Sequence, residues 1–298
     1  MVACLKIIVV GSAQDGGFPQ YDCNCLNCSL CRKNLLKPLY RSSIAVIDDD
    51  NHVIFLDASP DMRLQMASID VCREKLNRSM NNRVSPIDAI VVTHAHWGHI
   101  GGLAELGAGI PYKIPVYCSN LVSKMISKSR IYGHLVEAGY LKPQIFESRK
   151  EIPIYSWRGE PTMLKLKVLK VKHREDFTDT FGLKIYSSSF SVAYIPDIAF
   201  FNIEIEEFIS DVDVLFFEGT FYYNNELEIV SGIHKTSYDL GHIPIVDSLN
   251  FLSKVEIPQK YYIHFNHTNP VLRKSSEEFK SILRFKLKAA YDGLTIDV

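Results

Sequence analysis

Three imidazoles fall within six residues in the run His94-Ala95-His96-Trp97-Gly98-His99. Imidazole is the commonest side-chain ligand for zinc and iron. A His-x-His pair at a strand end can aim both rings at one ion where the backbone turns sharply. The β-branched run Ala89–Thr93 directly before it predicts such a strand. Other ligand-type residues sit on further predicted strands: His173 after Met163–Lys172, Asp197 after Ala193–Pro196, and His264 within Tyr261–Phe265. A sheet fixes the Cα of such a residue while the adjoining loop leaves the ion accessible.

A second cluster is made of sulfur. Cys23, Cys25, Cys28 and Cys31 crowd into nine residues, whereas Cys4, Cys72 and Cys118 are scattered and read as small core residues. Cys23-x-Cys25-x-x-Cys28 can wrap one ion, but tetrahedral zinc needs a fourth ligand. Cys31 is the local candidate and His267 the distant one.

Single residues add less specific signals. His242, ahead of a predicted helix, is either a donor to substrate or a helix-end residue with a structural partner. Glu218, at the end of an apolar run, is either a partner for a metal-bound histidine or a satisfied structural anion. Asp57 sits at a strand end near the histidines, but the Ala58–Asp61 turn equally suits capping of the next helix. His234 reads as a solvated loop residue, His52 and His134 as surface, and Trp97 and Phe18 as pocket rim or plain core.

The elements that must position these groups alternate between strand-like and helix-like runs. Strands are predicted at Leu5–Val10, Ser43–Ile47, Val53–Asp57, Ile114–Cys118, Leu183–Ser187, Ser191–Ile195 and Val212–Phe217. Helical spacing marks Asp61–Ala67, Gly101–Leu106, Leu121–Lys128, Ile245–Lys254 and Ser276–Tyr291, with a polar insert at Glu74–Ser85. No Gly- or Pro-rich linker divides the 298 residues, so one domain of two sheets with helices outside is expected, spanning 1–298. The net charge of −1 gives no electrostatic reason to expect nucleic acid or an anionic membrane as partner. No apolar run approaches the roughly 18–20 residues that span a bilayer, and the N-terminus lacks a basic region ahead of an apolar core. The cytoplasm is the expected location, and a small molecule the expected partner.

The order His-x-His-x-x-His, lone His, Asp, late His resembles the metallo-β-lactamase superfamily. Within it, four segments are similar to the coenzyme PQQ synthesis protein B group and to carbon–phosphorus-lyase phosphodiesterases. They are Gly11–Gln20 running into the cysteines, Asp57–Asp61, Lys235–His242 and His264–Pro270. The resemblance implies an α/β fold, the αββα four-layer sandwich, with metals at the sheet edges. It implies a first ion on His94, His96 and His173, and a second on His99, Asp197 and His264, with Asp197 able to bridge. It also implies that His267 rather than Cys31 completes a structural zinc site with Cys23, Cys25 and Cys28, and that a homodimer is common among relatives. One departure stands out: the family carries Asp directly before the last His of its motif, and here that position is Gly98. Glu175 and Asp176 are the nearby carboxylates that could replace it.

Two chemistries follow. Three histidines with an open position suit a zinc-activated water, with Asp197 as a proton acceptor, and hence hydrolysis of a phosphodiester, ester or amide-like bond. Two histidines with one carboxylate suit Fe(II) and an oxygenase of quinone-cofactor maturation. A non-catalytic binding protein, its site decayed at Gly98, is the third class. Fold and flanking segments alone do not decide among them.

Overall fold

The computed structural model describes residues 5–78, 84–107, 112–174 and 176–297. Its frame is two seven-stranded sheets. In the first, β1 (Lys6–Gly11), β2 (Ser43–Ile47) and β3 (Val53–Leu56) run antiparallel, and β4 (Ala89–Val91), β5 (Ile114–Cys118) and β6 (Leu141–Ile145) continue parallel from β3. In the second, β7 (Ile152–Tyr155), β8 (Pro161–Val171), β9 (Thr180–Tyr186) and β10 (Ser191–Ile195) are antiparallel. From β10, β11 (Val214–Glu218), β12 (Gln259–Ile263) and β13 (Lys288–Ala289) continue parallel. The last strand, β14 (Thr295–Asp297), returns to pair antiparallel with β1.

Successive strand side chains point to opposite faces, and here both faces are buried. Ile44, Val46, Ile54 and Leu56 pack inward against Leu164, Leu166, Val168 and Phe216 of the other sheet, forming the central core. The intervening Ala45, Ile47, Val53 and Phe55 point outward, under Met62, Leu103, Val122 and Ile126. On the other side Leu215 and Phe217 point outward, under Ile205, Ile209, Leu249 and Leu252. Layering is therefore helix, sheet, sheet, helix, the αββα sandwich. Continuous apolar strands such as Val214–Phe217 follow from this double burial.

Three predicted elements differ. β12 ends at Ile263, so His264 lies just past the strand, with φ +67°. The helix predicted over Ser276–Tyr291 stops at Arg284, because Lys286 turns left-handed (φ +61°) and the chain enters β13. The polar insert begins as a helix, Asp70–Arg78, while residues 79–83 lie outside the described residues.

Candidate metal centre

Parallel strands leave their carboxyl ends open, and ligand sites in open α/β sheets gather there. Here the loops after β3, β4, β10 and β12 meet, joined by the loop after β8, and they carry Asp57, His94–His99, Asp197, His264 and His173, with Glu218 at the end of β11. Two of these positions, Asp57 (φ +66°) and His264 (φ +67°), are non-glycine residues in the left-handed region. Such backbone costs of order 1–3 kcal/mol and persists where the surroundings fix it, commonly at functional sites.

Each ring nitrogen pair divides its work. His94 Nδ1 donates to Thr93 Oγ1 (2.9 Å), whose own hydroxyl donates to Asp57. His96 Nε2 donates to Asp176 Oδ2 at 3.1 Å, and His173 Nδ1 to the Gly241 carbonyl at 2.8 Å. His99 Nδ1 donates to Asp57 Oδ2 at 2.7 Å, and His264 Nδ1 lies 2.9 Å from the Thr220 hydroxyl. Such outer partners fix tautomer and ring orientation in metal-binding histidines. His94 Nε2 and His96 Nδ1 lie 2.9 Å apart, and with the protons placed on the outer nitrogens both inner atoms carry lone pairs. Two lone pairs in contact repel unless a cation lies against both. The donor set therefore fits a metal ion.

The donor atoms of His94, His96 and His173 lie within 4.8 Å of one another, as do those of His94, His99 and Asp197. Asp197 stands between the sets, Oδ1 3.7 Å from His173 Nε2 and Oδ2 3.3 Å from His99 Nε2 and 3.6 Å from His264 Nε2. Burial keeps His94 and His264 far below the usual imidazole pKa and His173 down to about 2, so these rings are neutral, the form a metal takes. Burial also pushes Asp197 up to about 7. At His99 burial opposes charge, yet Asp57, Asp197 and Asp15 outweigh it and raise its pKa well above the ordinary value.

Beside these groups is a cavity of about 260 Å³. His242, Arg174 and Gln20 give it polar character, and Phe221, Leu227 and Ile233 an apolar wall. His242 Nδ1 donates to Glu218 Oε2 at 2.7 Å, and Glu218 also accepts from the Ile198 and Thr220 amides. Glu218 is thus a histidine partner, and Asp57 backs His99 rather than capping the helix that follows. Trp97 is exposed and Phe18 buried among the cysteines; neither lines this cavity. His234 is exposed, paired with Glu228, and His134 is exposed, whereas His52 is half-buried against Asp48.

Of the nearby carboxylates proposed for the gap at Gly98, Asp176 backs His96 and Glu175 lies outside the described residues. The carboxylate found at the gap is one that sequence reasoning passed over, Asp15. Its Oδ1 lies 3.4 Å from His99 Nε2 and 4.0 Å from His264 Nε2. Its only signal was position, an acidic residue inside the Gly11–Gln20 segment.

The second cluster also assembles. Cys23, Cys25, Cys28 and His267 bring their donor atoms within 4.8 Å, with Cys25 Sγ 3.5 Å from His267 Nδ1. Cys31 is buried beside Ala13 and Phe18. Asn27 Nδ2 donates to the carbonyls of His267 and Asn269, both at 2.9 Å, so the cysteine loop is tied to the His264–Pro270 segment.

Gly241 offers a test of His173 positioning. Its φ is +81°, and a Cβ there would come within 2.7 Å of the Arg174 amide and 3.0 Å of the His173 carbonyl carbon. Gly232 has a similar φ of +67° with open space around it. Gly241→Ala is expected to weaken zinc binding by about 10–100-fold, the usual effect of disturbing a ligand's outer support. Gly232→Ala, carrying the same backbone penalty, is expected to leave it unchanged in the same calorimetric titration.

Residues 52–265 match the beta-lactamase superfamily domain. A coenzyme PQQ synthesis protein B of Methylorubrum extorquens is 30% identical over 99% of this chain and all of its own length. That of Ruegeria pomeroyi is 32% identical over 98% and 99%. The crystal structure of Zn(2+)-bound PqqB from Methylobacterium extorquens superposes with TM-score 0.86 at 28% identity, covering 98% of this chain and 100% of that one. A diphosphatase of the PhnP family shares the fold, with TM-score 0.72 at 22% identity over 99% and 97%. A site at the carboxyl ends of an αββα sandwich, likeness along the full chain and a matching domain lead to one conclusion: the chain belongs to the metallo-β-lactamase superfamily, in the coenzyme PQQ synthesis protein B family.

Proposed function

We propose that this chain is a metal-dependent hydrolase acting on a small phosphodiester, ester or amide-like substrate. The observation that carries the reading is the convergence of the His94, His96 and His173 nitrogens, with Asp197 beside them, next to a cavity. His94, His96 and His173 would hold one ion, and His99, His264 and Asp197 a second. Zinc bound there supplies Lewis acidity and a water acidified to near neutral pH. Asp197, whose Oδ1 faces His173 and His242 at 3.7 Å, would accept the proton of the attacking water through that oxygen. His242, oriented by Glu218, is placed to return a proton to the leaving group as its bond to the substrate centre breaks. Arg174 offers a cation to an anionic substrate, and the Phe221–Leu227–Ile233 wall holds an apolar portion and excludes water. Cys23, Cys25, Cys28 and His267 hold a structural zinc, closed and away from the chemistry.

A second reading rests on likeness over the whole length to relatives named for coenzyme PQQ synthesis. In it, Fe(II) at the His99–His264–Asp197 set serves an oxidative step on an amino-acid or peptide-derived quinone precursor. One experiment separates the two. Chain loaded with zinc, then with Fe(II) anaerobically, is offered a phosphodiester, ester and amide panel and, separately, a panel of amino acids and peptides with oxygen uptake recorded. Turnover on the panel supports hydrolysis. Silence there, with Fe(II)- and peptide-dependent oxygen uptake, replaces it by the second reading.

A further inference from the structure

Four buried side-chain atoms among the described residues lack a hydrogen-bond partner, and three of them converge: Asp15 Oδ1, Asp197 Oδ2 and His264 Nε2. Buried polar atoms are almost always paired, because each orphan costs about 1–3 kcal/mol. Two carboxylate oxygens and an imidazole nitrogen turned toward one point have a common remedy, a cation between them. The donor atoms of Asp15, His99 and His264 lie within 4.8 Å of one another.

We propose that Asp15 is the carboxylate ligand of the second ion, reaching from the N-terminal loop into the space that a side chain at position 98 would otherwise fill. A Cβ built on Gly98 would lie 1.9 Å from Asp15 Oδ1 and 2.7 Å from its Cγ. Glycine at 98 and aspartate at 15 are thus one arrangement. The carboxylate comes from a different loop, and the motif residue shrinks to admit it.

The loop is held as a ligand-bearing loop must be. Ala13 bridges to Arg41 and Phe265, and the Gln14 amide donates to the Phe265 carbonyl at 2.9 Å. Gln14 Nε2 donates to Asn266 Oδ1 at 2.9 Å. On the other side Arg41 Nε donates to the Asp15 carbonyl at 2.7 Å, its guanidinium fixed by Asp61 at 3.1 Å. Asp15 is therefore positioned from both flanks, one of them the segment that carries His264. A ligand on this loop also couples the second ion to the cysteine site eight residues further on. The proposal rests on the metal-centre reading above and is indifferent to which reaction follows.

The test is a calorimetric zinc titration of full-length chain stripped of exchangeable metal, as wild type, Asp15→Asn, Gly98→Asp and the exchange Asp15→Gly/Gly98→Asp. Wild type is expected to take up two ions beyond the cysteine site. Even outer-shell changes cost roughly 10–100-fold in affinity, so Asp15→Asn, which keeps the shape and removes the charge, is expected to weaken one ion by at least about 100-fold. Gly98→Asp alone, with two side chains in one space, is not expected to bind better than wild type. The exchange is expected to recover most of the affinity that Asp15→Asn loses. Two wild-type-like ions in Asp15→Asn, or an exchange variant no better than Asp15→Asn, overturns the proposal. Wild type taking up no ion beyond the cysteine site overturns the metal-centre reading together with it. The two failures differ in the wild-type stoichiometry. Should the exchange variant not fold, Asp15→Asn alone decides.

Discussion

Cys25→Ser is expected to cost the chain one zinc and to lower its thermal midpoint by roughly 8–16 °C. The range comes from a stability loss of about 4 kcal/mol at about 2–4 °C per kcal/mol for chains somewhat smaller than this one. Structural zinc in isolated fingers is worth about 10–16 kcal/mol, all of it folding energy. Here only a fraction is at stake, since Asn27 still joins the cysteine loop to His267 and Asn269, and Phe18 stays buried. What the ion adds is a link between two segments more than 200 residues apart, one carrying Asp15 and the other His264. Loosening that link is therefore expected to weaken active-site zinc binding as well as to lower the midpoint. Metal content by mass spectrometry and a melting curve with and without chelator check both. An unchanged zinc count with a midpoint within about 2 °C of wild type would remove the structural role.

The residues that carry this site differ in how far the sequence shows them. His94, His96 and His99 are adjacent and follow a β-branched run, so composition and period together place them at a strand end. His173 and Asp197 are single residues, visible only because the strands before them are readable. The Thr93 and Thr220 hydroxyls, hydrogen-bonded to the Nδ1 atoms of His94 and His264, carry no sequence signal at all, since threonine is ordinary in any strand or turn. Asp15 was hidden for another reason. It lies 83 positions before Gly98, and only the pairing of β1 with β2 and the Ala13 bridges to Arg41 and Phe265 bring its loop to that spot. A replacement was sought beside a recognised ligand, at Glu175 and Asp176 after His173, and was met from the N-terminal loop instead. The same limit explains His264 and Lys286. Left-handed φ at a non-glycine residue is imposed by tertiary contacts, and hydropathy periods do not record it.

His94→Ala is expected to lower turnover on any hydrolysed substrate by at least about 10³-fold, several kcal/mol of transition-state stabilisation at about 1.4 kcal/mol per decade. His94 is fully buried, its ring centroid 4.1 Å from that of His99 and 4.5 Å from that of His96. Its removal takes away one of two facing lone pairs and leaves His96 Nδ1 without a counterpart. Structural damage predicts the same loss of activity, so the argument turns on a graded comparison. Asp176→Asn reaches the metal only through the outer nitrogen of His96, at an exposed carboxylate that also meets the Phe177 amide and Arg174, and is expected to cost about 10–100-fold in metal affinity. Turnover should then be recovered by raising the zinc concentration, a rescue that a folding defect would not show. His94→Ala should show no such rescue, while its cysteine-site zinc stays bound. His134→Ala, on the exposed surface, is expected to match wild type throughout. Turnover that survives His94→Ala at wild-type rate would place the chemistry outside the three-histidine set, and the hydrolytic reading would fall with it.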